Sequence, residues 1–257
     1  MTTLNEERVL SVHHWNESLF SFTTTRNTTF RFRHGHFVMM GIEIDQRPLL
    51  RAFSLVGANY DEHLEFYSIK IPGGALTSRL RHVAPGHRVL VSKKPTGTLL
   101  VENVRPGKRL YLLATGTGLA PFMSIVRDPA TYERFEHVVV VHGVRRVSDL
   151  GYRAHLENGL FEHELIGAQA REKLRYYPTV TRESFIHRGR VSHLLESGKL
   201  AGDLGFPRED AACDRFMLCG SPAMLKDVAS ILESRGFEEG RGGSPATYVV
   251  ERAFVER

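Results

Sequence analysis

Near residue 105 the hydrophobic pattern of this chain changes period, and that change limits the fold more than any other feature. Before it, short segments at 8–13, 19–24, 36–44, 49–55, 64–71 and 87–92 alternate apolar with polar residues or cluster Phe and Thr, with turn residues between. Strands so evenly spaced predict an antiparallel six-stranded sheet closed into a barrel, which leaves no edge exposed. Residues 77–83, after Pro72-Gly73-Gly74, predict one interrupting helix. Beyond the change, apolar runs at 110–114, 138–141 and 216–218, and the largely apolar segment 174–180, lead into glycine turns and longer helical segments. Strands apolar on both faces predict a parallel sheet covered by helices.

At 257 residues the chain is longer than one hydrophobic core usually serves, so the two patterns are read as two domains, β followed by α/β. The turn at 102–107 predicts the boundary: a barrel over 1–101 and an α/β domain over 102–257. Residues 238–245, rich in Gly and Glu, predict a loop of low order. The strand-like segment 246–251 after it predicts a last sheet strand that returns the tail, 251–257, to the first domain.

Apolar residues at 42% and charged residues at 25% are those of a soluble globular protein. No apolar stretch is long enough to span a bilayer, and a start containing Asn5-Glu6-Glu7-Arg8 does not read as a signal peptide, so a cytoplasmic setting is expected. The two cysteines, Cys213 and Cys219, form neither a disulfide framework nor a zinc spacing, and His34 with His36 lacks further ligands, so no metal is expected. A formal charge of +5 favours acidic partners. The basic residues stand singly among acids, without a basic run or an aromatic stripe, which argues against nucleic acid.

Several segments carry residue types suited to a dinucleotide. Arg51-Ala52-Phe53-Ser54 ends a predicted strand, with Arg51 and Phe53 on one face and Ala52 and Ser54 on the other. A guanidinium there can clamp a pyrophosphate at two points, a ring can pack on a planar cofactor, and a hydroxyl can reach its polar edge. In Phe66-Tyr67-Ser68-Ile69-Lys70, Tyr67 and Ile69 share one strand face and Ser68 and Lys70 the other. Gly74-Ala75-Leu76-Thr77-Ser78 opens the predicted helix, where Thr77 and Ser78 serve either as a simple cap or as the edge of a phosphate site.

Thr115-Gly116-Thr117-Gly118-Leu119-Ala120-Pro121 follows a buried strand and opens a helix, the setting in which amides meet a pyrophosphate. Pro121 stands at the third glycine position of the Rossmann fingerprint, so that pattern fails. Val141-His142-Gly143-Val144-Arg145 ends in a glycine and a base, and Pro178-Thr179-Val180-Thr181-Arg182 is followed by Arg188 and Arg190. Arg182 and Arg190 can hold a phosphate dianion, with Thr181 adding a hydroxyl, or can simply be solvated. Cys219-Gly220-Ser221-Pro222 is a second strand-to-helix turn, led by a thiol that a helix N-terminus could activate or that a buried strand could leave inert.

In order and spacing these segments resemble the ferredoxin-NADP+ reductase family, over nearly the whole chain. The family's Arg-x-Tyr-Ser motif matches residues 51–54 with Phe53 in place of tyrosine, which keeps the ring and loses the phenol, and its Thr-Gly-x-Gly-x-x-Pro turn matches 115–121. The ending Val250-Glu251-Arg252-Ala253-Phe254-Val255-Glu256-Arg257 is similar to the bacterial short-tail subclass, with Ala253 where plant-type members end in an aromatic ring.

The resemblance implies non-covalent FAD on Arg51, Ala52, Phe53 and Ser54, then on Tyr67, Ser68, Ile69 and Lys70. It continues the FAD site through Gly74, Leu76, Thr77 and Ser78 to Thr115 and Thr117, with Ala253 covering the flavin and Phe254 stacking on the adenine. NADP(H) is implied at Gly116, Arg145, Thr181, Arg182, Arg190 and Asp227. Ser54, Cys219 and Glu251 are implied to assist hydride transfer between nicotinamide C4 and flavin N5, with Cys219 supplying bulk rather than a thiolate. Electrons would then pass singly to an acidic ferredoxin or flavodoxin.

Three other uses of such a fold would each demand a different feature. An NADPH-dependent flavin reductase would release its flavin, against the expectation set by Arg51, Thr77 and Phe254. A reductase component of an oxygenase would normally bring clustered cysteines for an iron-sulfur centre, and a redox sensor would need an output segment that the chain does not offer.

Overall fold

The computed structural model describes residues 4–71, 73–240 and 244–252. The first sheet comprises β1 (Leu4–His14), β2 (Leu19–Thr25), β3 (Phe37–Ile44), β4 (Arg47–Ser54), β5 (His63–Ile69) and β6 (Arg88–Ser92) in the order β4-β3-β6-β1-β2-β5. Its pairings are antiparallel throughout. The edges β4 and β5 meet through a bridge from Leu55 to Phe66 and the Val56 amide on the Glu65 carbonyl, 3.0 Å, which closes the barrel. Phe20, Phe22, Val38, Met40, Phe53, Phe66 and Val91 fill its interior.

The first strand is longer than its alternation predicted, starting at Leu4 rather than at residue 8. Its polar half, Leu4 to Arg8, pairs with β6, and the rest pairs with β2 after a register shift between Val9 and Ser11. Glu7 is buried there because its carboxylate accepts from the Thr25 hydroxyl at 2.6 Å and the Asn27 amide at 2.9 Å. The interrupting helix α1 (Thr77–Leu80) is shorter than predicted. After Leu80 the backbone goes over to tighter turns, with the His82 amide on the Arg79 carbonyl and the Val83 amide on the Leu80 carbonyl, both 3.0 Å, and a further turn closes from the Ala84 carbonyl to the His87 amide, 3.0 Å, with Gly86 at φ +89°.

The second sheet is parallel, in the order β11-β10-β7-β8-β9, built from β7 (Arg109–Thr115), β8 (His137–Val144), β9 (Leu174–Val180), β10 (Asp214–Cys219) and β11 (Tyr248–Glu251). The helices α2 (Ala120–Ile125), α3 (Pro129–Arg134), α4 (Arg153–Glu157) and α5 (Gly167–Lys173) precede β9. They are followed by α6 (Val191–Glu196), α7 (Lys199–Leu204) and α8 (Pro222–Ser234). Alternate residues of each strand divide between two cores, Leu112, Val138 and Val140 on one face and Leu113, Val139 and Val141 on the other.

The first of these cores also takes in Leu19, Val56 and Tyr67 of the barrel, so the two sheets share one continuous apolar junction. Polar contacts pin its rim. The Ser124 hydroxyl donates to the Gly57 carbonyl at 2.7 Å, the Tyr152 hydroxyl to Glu65 at 2.7 Å, and the Asn16 amide to the Ser148 carbonyl at 2.7 Å. At the start of the parallel sheet Arg109 and Asp214 lie opposite each other in register and form a buried two-point ion pair at 2.6 Å, which lets both charges lie inside strands. No helix among the described residues is long and apolar enough to cross a membrane.

Candidate functional site

Parallel strands deliver their C-terminal ends to one side of a sheet, and here that side faces the barrel. Between them lies an open cleft of about 1680 Å³, lined by β4 and β5 on one side and by the turns after β7, β8, β9 and β10 on the other. From the barrel it receives Arg51, Ala52, Phe53, Ser54, Tyr67, Ser68, Ile69, Lys70 and Thr77. From the parallel sheet it receives Thr115, Gly116, Thr117, Arg145, Thr181, Arg182, Arg190 and Asp227. Segments far apart in sequence thus converge on one site.

The turns after β7 and β10 interlock. A Cβ on Gly118 would stand 2.3 Å from the Cys219 carbonyl oxygen, and Gly220, at φ +153°, would place one 2.2 Å from the Thr115 hydroxyl. That hydroxyl accepts from the Ser221 amide at 2.8 Å, and Ser221 caps α8 by accepting from the Met224 amide at 3.3 Å. The result is a floor of backbone and small side chains that a flat ring can approach closely.

Ser54 ends β4 with its hydroxyl buried and without a hydrogen-bond partner among the described residues, although the residue lines the cleft. A buried hydroxyl left in that state costs stability unless a ligand completes it. Phe53 packs edge-on against Phe66 at 6.2 Å, so its ring belongs to the barrel core as well as to the cleft wall. Arg51 is exposed and donates to its neighbour's carbonyl, Leu50, at 2.9 Å, leaving most of its guanidinium for a ligand.

At the far end Arg145, Arg182, Arg188 and Arg190 line the cleft as exposed cations that make no ion pair among the described residues. The ends of β8 and β9 hold them together, through the Thr181 amide on the Val144 carbonyl at 3.1 Å and the Arg182 amide on the Arg145 carbonyl at 2.9 Å. Arg188 and Asp149 belong to this lining and were not among the expected site residues. Asp149 is brought in by the junction, accepting from Asn16 at 3.2 Å and from the Arg146 amide at 3.1 Å. Ser18, Met224 and Ser192 also line the cleft unforeseen.

Other expected residues stand back from it. Leu76 is buried in the barrel core, and Gly74, Leu76 and Ser78 do not line the cleft. The simple cap reading of Thr77 and Ser78 fails as well, because the cap position is Leu76 and no side chain fills that role. The Ser78 amide is already spent on the Gly74 carbonyl at 3.1 Å, so it is not open to a phosphate. Ala253 and Phe254 lie outside the described residues.

Cys219 and Glu251 are register partners in β10 and β11, both buried beneath the cleft rather than lining it. Burial, with the Glu251 carboxylate adding to it, pushes the Cys219 thiol far above its ordinary range, which disfavours the thiolate that a nucleophile needs. The Glu251 carboxylate accepts from the Thr98 amide at 3.2 Å, which ties the last strand to the barrel side. No group of three or more His, Cys, Asp or Glu among the described residues is placed to hold a metal ion.

The chain matches the models of two families, the oxidoreductase FAD-binding domain over residues 2–100 and the oxidoreductase NAD-binding domain over 112–230. It is 58% identical over 250 residues to ferredoxin–NADP reductase A of Sorangium cellulosum, covering 97% of this chain and 90% of that one. It is 55% identical to the ferredoxin–NADP reductase of Pseudomonas aeruginosa over the full length of both chains. Among solved structures, the ferredoxin NADP+ reductase of Neisseria gonorrhoeae with bound FAD and NADP superposes with a TM-score of 0.90 at 30% identity, over 99% of this chain and 100% of that one. With the same two folds in the same order and relatives of this likeness along its whole length, the chain belongs to the ferredoxin–NADP reductase family.

Proposed function

We propose that this chain holds FAD and NADP(H) in the cleft between its two sheets and moves electrons between NADP(H) and a one-electron carrier, ferredoxin or flavodoxin. The observation that carries this reading is one continuous cleft with a buried hydroxyl, Ser54, at the barrel end and four arginines at the other, all without a partner of opposite kind among the described residues. Bound FAD supplies the exchange between hydride and single-electron chemistry; the protein's part is to stack, orient and exclude.

In this reading Arg51 and Thr77 hold the FAD phosphates, Phe53, Tyr67 and Ile69 pack against the cofactor, and Ser54 donates to the flavin edge that takes the hydride. Gly116 and Gly118 let the nicotinamide half approach the backbone, and Cys219 beneath them sets the depth to which it settles. Arg182 and Arg190, with Arg188 and Thr181, hold the adenosine 2′-phosphate, whose charge suits paired guanidinium donors. Glu251 acts by position, through Thr98, and not as a group exposed to the reacting atoms. The FAD-binding unit is assigned to residues 1–101 and the NADP-binding unit to 102–257.

The net charge of +5 favours an acidic carrier, and a reducing cytoplasmic setting suits two free cysteines. The test is chromatography of the flavin released on denaturation, together with anaerobic titration of the protein by NADPH and by NADH. FAD should be the released species, and NADPH should bleach its visible band at far lower concentration than NADH. Release of FMN, or equal response to both nucleotides, would refute the assignment.

A further inference from the structure

Beneath the glycine turn that closes β7 lies a buried imidazole to which its sequence segment, 141–145, gave no role. His142, on β8, is level with Ala114 of β7 and Pro178 of β9, and is fully buried. Its Nε2 stands 3.1 Å from the Gly116 carbonyl oxygen and its Nδ1 3.2 Å from the Tyr176 hydroxyl. A carbonyl can only accept, so Nε2 carries the proton, and Nδ1 accepts from Tyr176. Burial pushes the imidazole down to a pKa of about 4, which keeps this tautomer neutral near pH 7.

The peptide joining Gly116 to Thr117 is trans, as is every peptide among the described residues, so its carbonyl and its N–H point in opposite directions. With the carbonyl turned down onto His142, the Thr117 amide is turned away from the core, and both residues line the cleft. Gly116 holds this orientation at φ +54°, where a side chain is disfavoured although nothing within 4 Å would obstruct a Cβ. The turn thus owes its orientation to backbone conformation and to the imidazole below it.

We propose that His142 is a positioning residue for the nucleotide site: its Nε2 hydrogen bond fixes the Gly116–Thr117 peptide so that the Thr117 amide is presented to an oxygen of bound NADP(H). This rests on the NADP(H) reading above. The experiment uses the FAD-loaded protein and compares wild type with His142→Gln, whose side-chain amide can replace Nε2–H, and His142→Leu, which offers no donor.

Nitrogen NMR of the wild-type ring should show the Nε2–H tautomer, a measurement that needs no variant. NADP+ titration, followed by the flavin absorbance, should give an affinity about tenfold weaker for His142→Leu and within about twofold of wild type for His142→Gln. The Thr117 amide resonance should move on NADP+ addition in wild type and His142→Gln, and much less in His142→Leu, while flavin content stays equal. An Nδ1–H tautomer, or variants that both bind NADP+ as wild type does, would overturn this inference alone. A wild-type protein that does not bind NADP+ would overturn the functional reading and this inference with it.

Discussion

The Ser221 amide donates to the Thr115 hydroxyl across 2.8 Å, joining the turn at the end of β7 to the turn at the end of β10. These strands are neighbours in register, with Ala114 beside Cys219, so both turns leave the sheet at one level and must pack against each other. Glycine makes that possible at Gly118 and Gly220. Gly220→Ala, strained at φ +153° and thrust 2.2 Å from the Thr115 hydroxyl, should therefore destabilise the fold. The expected loss is about 1–3 kcal/mol, read as a fall in melting temperature. Adding Thr115→Ala should cost less than the sum of the single changes, because the hydroxyl in the way is gone. Strict additivity in the double-mutant cycle would mean that the contact is not what opposes alanine.

Ser54 gives a test in which stability and function move apart. Its hydroxyl is buried without a partner among the described residues, so Ser54→Ala removes an unsatisfied group from the flavin-free protein. The apoprotein should be as stable as wild type or slightly more so, while hydride transfer slows through loss of a hydrogen bond worth about 0.5–1.5 kcal/mol, or roughly two- to tenfold in rate. Denaturant melts of the apoprotein and stopped-flow mixing with NADPH measure the two effects. Loss of apoprotein stability would show that the hydroxyl has a structural partner.

Acid stability should carry the mark of His142. Its imidazole has a pKa of about 4 in the folded protein, lowered by burial, against an ordinary value of 6.5. The unfolded chain therefore takes up a proton in this window that the folded chain refuses. The stabilisation is fully present above pH 6.5 and is lost as pH falls through about 4, a total on the order of 3 kcal/mol. His155, also lowered to about 4 by burial and by Arg127, adds a second group over the same range. In His142→Gln the fall in stability between those limits should be visibly shallower than in wild type, and equal slopes would mean that the ring titrates normally.

The two thiols should behave differently. Cys213 is half-buried and Cys219 fully buried, and the thiolate of Cys219 is disfavoured both by burial and by the Glu251 charge. An alkylating reagent at mildly alkaline pH should modify Cys213 in the native protein and reach Cys219 only after denaturation. Since the Cys219 pKa is raised from its ordinary 9.0, stability should also decline as pH rises above that value, where the unfolded thiol ionises and the folded one does not. Native labelling of Cys219 at a rate like that of Cys213 would contradict the packing role.

Much of this architecture was legible in the sequence, for reasons that also mark where legibility stopped. Val138 to Val141 reads as a buried strand because a parallel sheet covered on both faces tolerates no polar alternation. The first half of β1 did not read as strand, because Asn5-Glu6-Glu7 conceals it and only the folded chain shows the Glu7 carboxylate spent on Thr25 and Asn27. The strand ends at Arg109 and Asp214 were hidden in the same way, each charge being legible only beside the other. Within the site, contiguous segments such as 51–54 and 115–121 were readable as units. Asp149 was not, since Asn16 brings it to the cleft from the other sheet, and His142 was passed over although it is a lone polar residue closing an apolar run.

The arginines at the end of the cleft supply the sharpest test of nucleotide choice. Arg182, Arg188 and Arg190 are exposed, unpaired among the described residues and gathered after β9, so removing one leaves no buried partner stranded and should leave the fold intact. NADPH and NADH differ only by the 2′-phosphate, and a charge-assisted contact to it is worth about 1.5–3 kcal/mol, roughly ten- to a hundredfold in affinity. Arg182→Ala or Arg190→Ala should raise KM for NADPH by that order, leave NADH within about twofold, and leave kcat nearly unchanged because the contact is the same before and during hydride transfer. Raised salt should weaken NADPH binding by wild type more than by either variant, since the lost attraction is the one that salt screens. If both nucleotides weaken equally, these arginines hold the shared pyrophosphate, and the 2′-phosphate is held elsewhere in the cleft.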